Sequence, residues 1–150
     1  MKTSKILLLG TLLVSGLAHA GQPLLESLSG QAVDADTQTR GRLVLFWHPD
    51  CTFCMQELSD LSHASPALLG RLTTVALLPG KTVHKGGYAL PTGAQNLASR
   101  ANPLDILEHF GNAAGVLPYG VVSRADGSLC QQLTGSQTLA SLETALAACR

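Results

Sequence analysis

Cys51 and Cys54 are separated by two residues in the run Cys51-Thr52-Phe53-Cys54. That spacing suits a particular chemistry when the first cysteine opens a helix. The unsatisfied N–H groups and the positive dipole end of the helix stabilise a thiolate on the first sulfur. The second sulfur, one turn on, can attack a mixed disulfide formed by the first. Cys51 is then the exposed nucleophile and Cys54 the more buried resolving thiol of a redox-active pair. Two other uses stay open on the residues alone: a structural disulfide, or half of a zinc site. Structural zinc wants a second Cys-x-x-Cys or a His pair, whereas Cys130 and Cys149 are isolated and the histidines have no ligand spacing. No metal or other cofactor is expected.

The pair needs a strand behind it and a helix after it. Residues 42–47 are an apolar run of the kind a central, doubly covered strand requires, and Pro49 ends it. From Cys51 onward, Cys54, Leu58 and Leu61 recur at helical spacing, with Glu57 and Asp60 on the more polar faces. Ser65-Pro66 interrupts that helix, and residues 72–78 give a second buried strand. Residues 24–41 suggest a short β-hairpin around Gly30. Residues 79–93, dense in Gly and Pro, read as a long irregular loop, and residues 92–100 as a helix. Asn102-Pro103 caps another helix ending near Gly111. Residues 118–123 form a strand, Arg124 to Gly127 a hairpin turn, and residues 128–133 the return strand. A final helix carries Leu139, Leu142, Leu146 and Cys149 along one stripe. The sum is an α/β chain with a central mixed sheet, helices on both faces and an N-terminal β-hairpin extension.

Bulk properties narrow the setting. Lysine plus arginine balance aspartate plus glutamate at ten each, so charge gives no reason to propose a nucleic-acid partner. Lys2 and Lys5, the apolar stretch 6–14 and Ala18-His19-Ala20 have the layout of a cleavable signal peptide over residues 1–20. An uncleaved short anchor is the alternative. Residues 21–150 then form one domain, and all four cysteines lie in it. An even number in an exported chain permits disulfides.

The run Leu43-Val-Leu-Phe-Trp47-His-Pro-Asp-Cys51-Thr-Phe-Cys54-Met-Gln-Glu57 resembles the active-site signature of the thioredoxin-like superfamily, specifically the exported TlpA/ResA/DsbE-like reductases. A second block, Gly115-Val-Leu-Pro118-Tyr-Gly-Val-Val-Ser-Arg-Ala-Asp126-Gly127, is similar to the family's Gly-x-x-Pro strand and Asp-Gly hairpin. The resemblance spans most of residues 24–149 and implies a thioredoxin-like fold. It also implies a cis peptide before Pro118, facing the cysteines and leaving the Leu117 backbone free to pair with substrate. It implies a proton-transfer role for Glu57, which on its own reads as a solvated helix residue.

Three positions depart from the family. Asp50 replaces the usual Trp before the nucleophile, and a carboxylate there opposes thiolate formation. His48, if protonated, would act the other way. Leu45 stands where cytosolic thioredoxins carry a buried Asp. Third, residues 79–103 do not match a regular family connection; Lys81, His84, Lys85 and Tyr88 either shape a partner-binding surface or sit on a solvated loop. Cys149 on the inward stripe and Cys130 on the adjacent strand favour a structural disulfide, with two buried free thiols as the alternative. Such a bridge would contribute ~3 kcal/mol.

The expectation is a periplasmic thiol:disulfide oxidoreductase acting as a monomeric reductase of exported proteins. The resemblance implies apocytochrome c among the substrates and a DsbD-type membrane electron donor. A DsbA-like oxidant and a Cu(I) chaperone using the same cysteines are the alternatives, the latter needing a third ligand such as His48, His84 or His109. A binding module with a vestigial redox site is a third option.

Overall fold

The computed structural model describes residues 21 and 23–150, so the expected signal segment lies outside the described residues. Strands β1 (Leu25–Ser27) and β2 (Ala32–Val33) form an antiparallel hairpin, with Gly30 at a φ of 88° in its turn. A short helix α1 (Ala35–Thr39), not expected from the sequence, is capped by Asp34, whose carboxylate accepts from the Thr37 N–H at 2.8 Å. Then follow β3 (Leu43–Trp47), α2 (Thr52–Asp60) and a 3-10 turn over Leu61–His63. Helix α3 (Pro66–Leu69) precedes β4 (Leu72–Ala76), α4 (Gly80–Gly86) and β5 (Gln95–Ser99). The chain closes with α5 (Pro103–His109), β6 (Tyr119–Ser123), β7 (Leu129–Thr134) and α6 (Leu139–Ala148).

The seven strands form one mixed sheet in the order β2-β1-β5-β4-β3-β6-β7. β3, β4 and β5 are parallel, and β6 returns antiparallel along β3. Every residue of β3 is buried, and alternation sends Leu43, Leu45 and Trp47 to one face and Val44 and Phe46 to the other. On the first face they meet Cys54 and Leu58 of α2, Val83 of α4, and Leu142 and Leu146 of α6. On the second they meet Ile106 and Leu107 of α5. Full burial of each such side chain contributes about 1.5–3 kcal/mol, which fixes the sheet between its two helical layers. The expected mixed sheet, flanking helices and N-terminal hairpin are all present.

Two expectations over residues 79–100 are corrected. The glycines and prolines there punctuate a helix: Pro79 precedes α4, and Gly87 ends it in the left-handed conformation at a φ of 63°. The segment expected to be helical from residue 92 contains strand β5. Its polar Gln95 and Asn96 face Thr73 and Thr74 across the sheet, with side-chain hydrogen bonds of 3.0 and 2.6 Å. Those partners lie on another strand, so the local pattern hides the strand.

Candidate active site

Strand β3 delivers the chain to one end of the sheet, where His48 to Asp50 make the turn into α2. The Cys51 N–H donates to the His48 carbonyl at 3.0 Å. Cys51 is the N-cap residue of α2, and its sulfur accepts from the Cys54 N–H at 3.2 Å. Cys51 and Cys54 are disulfide-bonded, with Cα atoms 5.2 Å apart. Cys51 is half-buried and Cys54 only 1% exposed, so an incoming thiol or thiolate meets the first sulfur. The helix end that offers hydrogen bonds to Cys51 would also favour its thiolate after reduction.

The Leu117–Pro118 peptide is cis. Pro118 is buried, and its carbonyl accepts from the Gly135 N–H. Asn112 shapes the approach to it, donating to the Val116 carbonyl at 2.8 Å and accepting from the Val116 N–H at 3.3 Å. Among the described residues no backbone hydrogen bond engages the Leu117 N–H or carbonyl. Leu117 therefore keeps a backbone donor and acceptor for an extended segment.

Glu57 differs from the sequence expectation. It is buried, not solvated, and its Oε1 accepts from the Gln137 N–H at 3.0 Å. Burial pushes its carboxyl up to about 7, with the Asp60 charge adding to the rise and the Gln137 bond opposing it. Leu45 is 3% exposed and buried in the same core as Cys54. The buried acid of this site thus comes from α2, one turn beyond Cys54, instead of from β3.

The other neighbours are more bland. His48 Nδ1 accepts from the Asp50 N–H at 3.2 Å. The Asp50 side chain is 92% exposed, so water screens its charge. Trp47 packs edge-on against Tyr88 at 5.3 Å, which places Tyr88 in the support of the turn. Lys81, His84 and Lys85 lie on α4 and are exposed. Cys130 and Cys149 are bridged, tying β7 to the end of α6. Among the described residues no group of three or more His, Cys, Asp or Glu is placed to hold a metal ion, and no helix is long and apolar enough to cross a membrane.

Three features were missed from the sequence: two exposed apolar side chains and the Gln137 amide that meets Glu57. Phe53 is 68% exposed between the cysteines, and Val116 is 47% exposed beside Leu117. Phe53 falls off the Cys54-Leu58-Leu61 stripe, which was the available clue to its exposure. The Gln137 amide had none.

No protein-family model matches the chain, and no curated protein matches it. Solved structures do. A thioredoxin-related protein from Neisseria meningitidis serogroup B aligns with a TM-score of 0.67 at 21% identity, over 82% of this chain and 96% of that one. The fold is thioredoxin-like. A secreted Mycobacterium tuberculosis disulfide oxidoreductase homologous to E. coli DsbE shares this thioredoxin-like fold, with a TM-score of 0.60 and 23% identity over 85% and 96% of the two chains. StoA from Bacillus subtilis gives a TM-score of 0.57 and 16% identity over 81% and 93%. The pairing of Tyr119 with Phe46 puts the cis Leu117–Pro118 bond at the same end of the sheet as the start of α2 and its cysteines.

Proposed function

We propose that this chain is an exported thiol:disulfide oxidoreductase that reduces other exported proteins in the periplasm. The observation that carries the reading is the Cys51–Cys54 disulfide at the start of α2, with Cys51 the more accessible and Cys54 buried. In the reducing direction, the Cys51 thiolate attacks a substrate disulfide, forms a mixed disulfide and releases one substrate thiolate. Cys54 then gives up its proton and attacks Cys51. The substrate leaves as a dithiol and the Cys51–Cys54 bridge remains. Glu57, titrating near neutrality, is the acceptor for the Cys54 proton in this scheme. Pro118 and the Leu117 backbone seat the substrate segment.

The resemblance supports a DsbD-type membrane donor and substrates that include apocytochrome c, with the protein acting as a monomer. Residues 1–20 serve as its export signal. That solved structures of this fold include a secreted disulfide oxidoreductase supports the compartment.

Replacing Cys54 by Ser tests the exchange reaction. The C54S protein is expected to accumulate partners bound through Cys51, and a Cys51→Ser, Cys54→Ser double variant none. Failure of C54S to trap any disulfide-containing protein would reject the reaction. Direction is read from the Cys51–Cys54 reduction potential by equilibration with dithiothreitol or glutathione. A value near the thioredoxin end of the scale, ~ −270 mV, fits a reductase, and one near ~ −120 mV marks an oxidant.

A further inference from the structure

The charges of this chain are unevenly distributed. Between Asp60 and Asp105 there is no acidic residue, yet Arg71, Lys81, Lys85 and Arg100 all lie in that interval. Arg71 is occupied by the Gly41 carbonyl, and Arg100 lies 3.6 Å from Glu26. Lys81 and Lys85, one turn apart on α4, are exposed and form no ion pair among the described residues.

These lysines border a groove of about 430 Å³, lined with Leu28, Ser29 and His84. Its other wall is the β1–β2 turn. Helix α4 is seated firmly there: the Gly80 N–H donates to Glu26 Oε1 at 2.7 Å, and a Cβ on Gly80 would fall 2.4 Å from the Ser27 carbonyl oxygen. The groove is therefore a built feature, with a partly buried leucine at its base and two unpaired cations on its rim.

Its position relates it to the redox pair. Helices α2 and α4 both follow parallel strands of the sheet and pack on the same core, through Cys54 and Leu58 and through Val83, with Leu28 against it as well. From β3, which leads to Cys51, to β1 there are three strand steps, through β4 and β5. At about 4.8 Å per step this is roughly 14 Å across the sheet. Because β1 runs antiparallel to β5, the turn also lies about 10 Å back along the strands from the Cys51 end. An extended segment covers the combined ~17 Å in about six residues.

We propose that the groove between α4 and the hairpin turn docks an acidic, leucine-containing segment of the redox partner, about six residues from the cysteine that Cys51 attacks. The inference rests on the exchange reaction proposed above. Unpaired lysines beside an apolar floor complement aspartate or glutamate flanking an apolar side chain, and opposite charge steers such a segment to the site. A partner protein is favoured over an anionic membrane surface because the groove shares its face of the sheet with the reacting cysteines.

The test uses the reduced chain lacking residues 1–20 and two glutathionylated peptides. Each carries one cysteine and, six residues away, either Asp-Leu-Glu-Asp or Asn-Leu-Gln-Asn. At low salt the unmodified chain is expected to react faster with the acidic peptide. A Lys81→Glu, Lys85→Glu variant should lose about tenfold in that rate, and high salt should remove the preference. The rate with 2-hydroxyethyl disulfide, a small neutral substrate, should be unchanged. Equal rates with the two peptides, or a loss in the variant that extends to 2-hydroxyethyl disulfide, would overturn the proposal. So would charge-dependent binding to phosphatidylglycerol vesicles without any peptide preference. If 2-hydroxyethyl disulfide is not reduced at all, the exchange reading itself fails. Fluorescence anisotropy of the labelled acidic peptide then still tests the groove, through loss of binding in the lysine variant.

Discussion

Glu57 joins the redox pair to the pH scale. Its carboxyl holds a proton up to about 7, against an ordinary value of 4.5, chiefly because it is buried. The folded chain thus binds this proton more tightly than the unfolded chain does. The stabilisation is fully present below about 4.5, is lost as pH rises towards 7 and stays absent above that. Replacing Glu57 with Gln keeps an acceptor for the Gln137 N–H and removes the titration. The variant should therefore gain stability over the unmodified protein across this window, on the order of 1–3 kcal/mol by pH 8. Urea midpoints of the oxidised proteins at pH 4 and pH 8 check this; an unchanged difference between the two would show that Glu57 does not titrate in that window. The same substitution should also remove an inflection near neutrality from the pH profile of disulfide exchange. Cys51 and Cys54 were legible in the sequence because residue type and spacing carry their chemistry, whereas the cis bond before Pro118 was legible only through the family resemblance. The burial of Glu57 was not, because the amide that meets it lies 80 residues downstream.

At the scale of elements, β3, α2, the β6–β7 hairpin and α6 could be read from sequence because each carries its own hydrophobic period or cap. Strand β5 could not. Only Leu97 and Ala98 give it apolar weight, and Gln95 and Asn96 gain their partners from Thr73 and Thr74 on β4. Helix α4 was obscured by the glycines at its ends, one of which answers a packing demand. A Cβ on Gly80 would meet backbone atoms of Ser27 and Leu28 at 2.4 and 3.1 Å, and backbone cannot rotate aside as a side chain can. Gly80→Ala is thus expected to lift α4 from the hairpin, costing about 1–3 kcal/mol. A lower urea midpoint and faster hydrogen exchange confined to α4 and β1 would check it, with exchange of a small disulfide at Cys51 unaffected.

For the whole molecule, the second disulfide works at one edge of the sheet. It fastens edge strand β7 to α6, with a sequence separation of 19. Closing a loop of that size restricts the unfolded chain, so a Cys130→Ala, Cys149→Ala variant should lose about 3 kcal/mol of stability. Denaturation of the oxidised proteins by urea measures the loss, and trapping through Cys51 should persist in the variant. The four cysteines also pair in a particular succession. Cys51 bonds to the next cysteine along the chain, and so does Cys130. Of the three complete pairings open to four cysteines, this is the one with neither nested nor interlaced loops. A chain emerging from its N-terminus offers Cys54 to Cys51 before either of the others exists. Each bond can then close with the first mate to arrive, and a nascent chain oxidised in that order reaches its final connectivity without reshuffling.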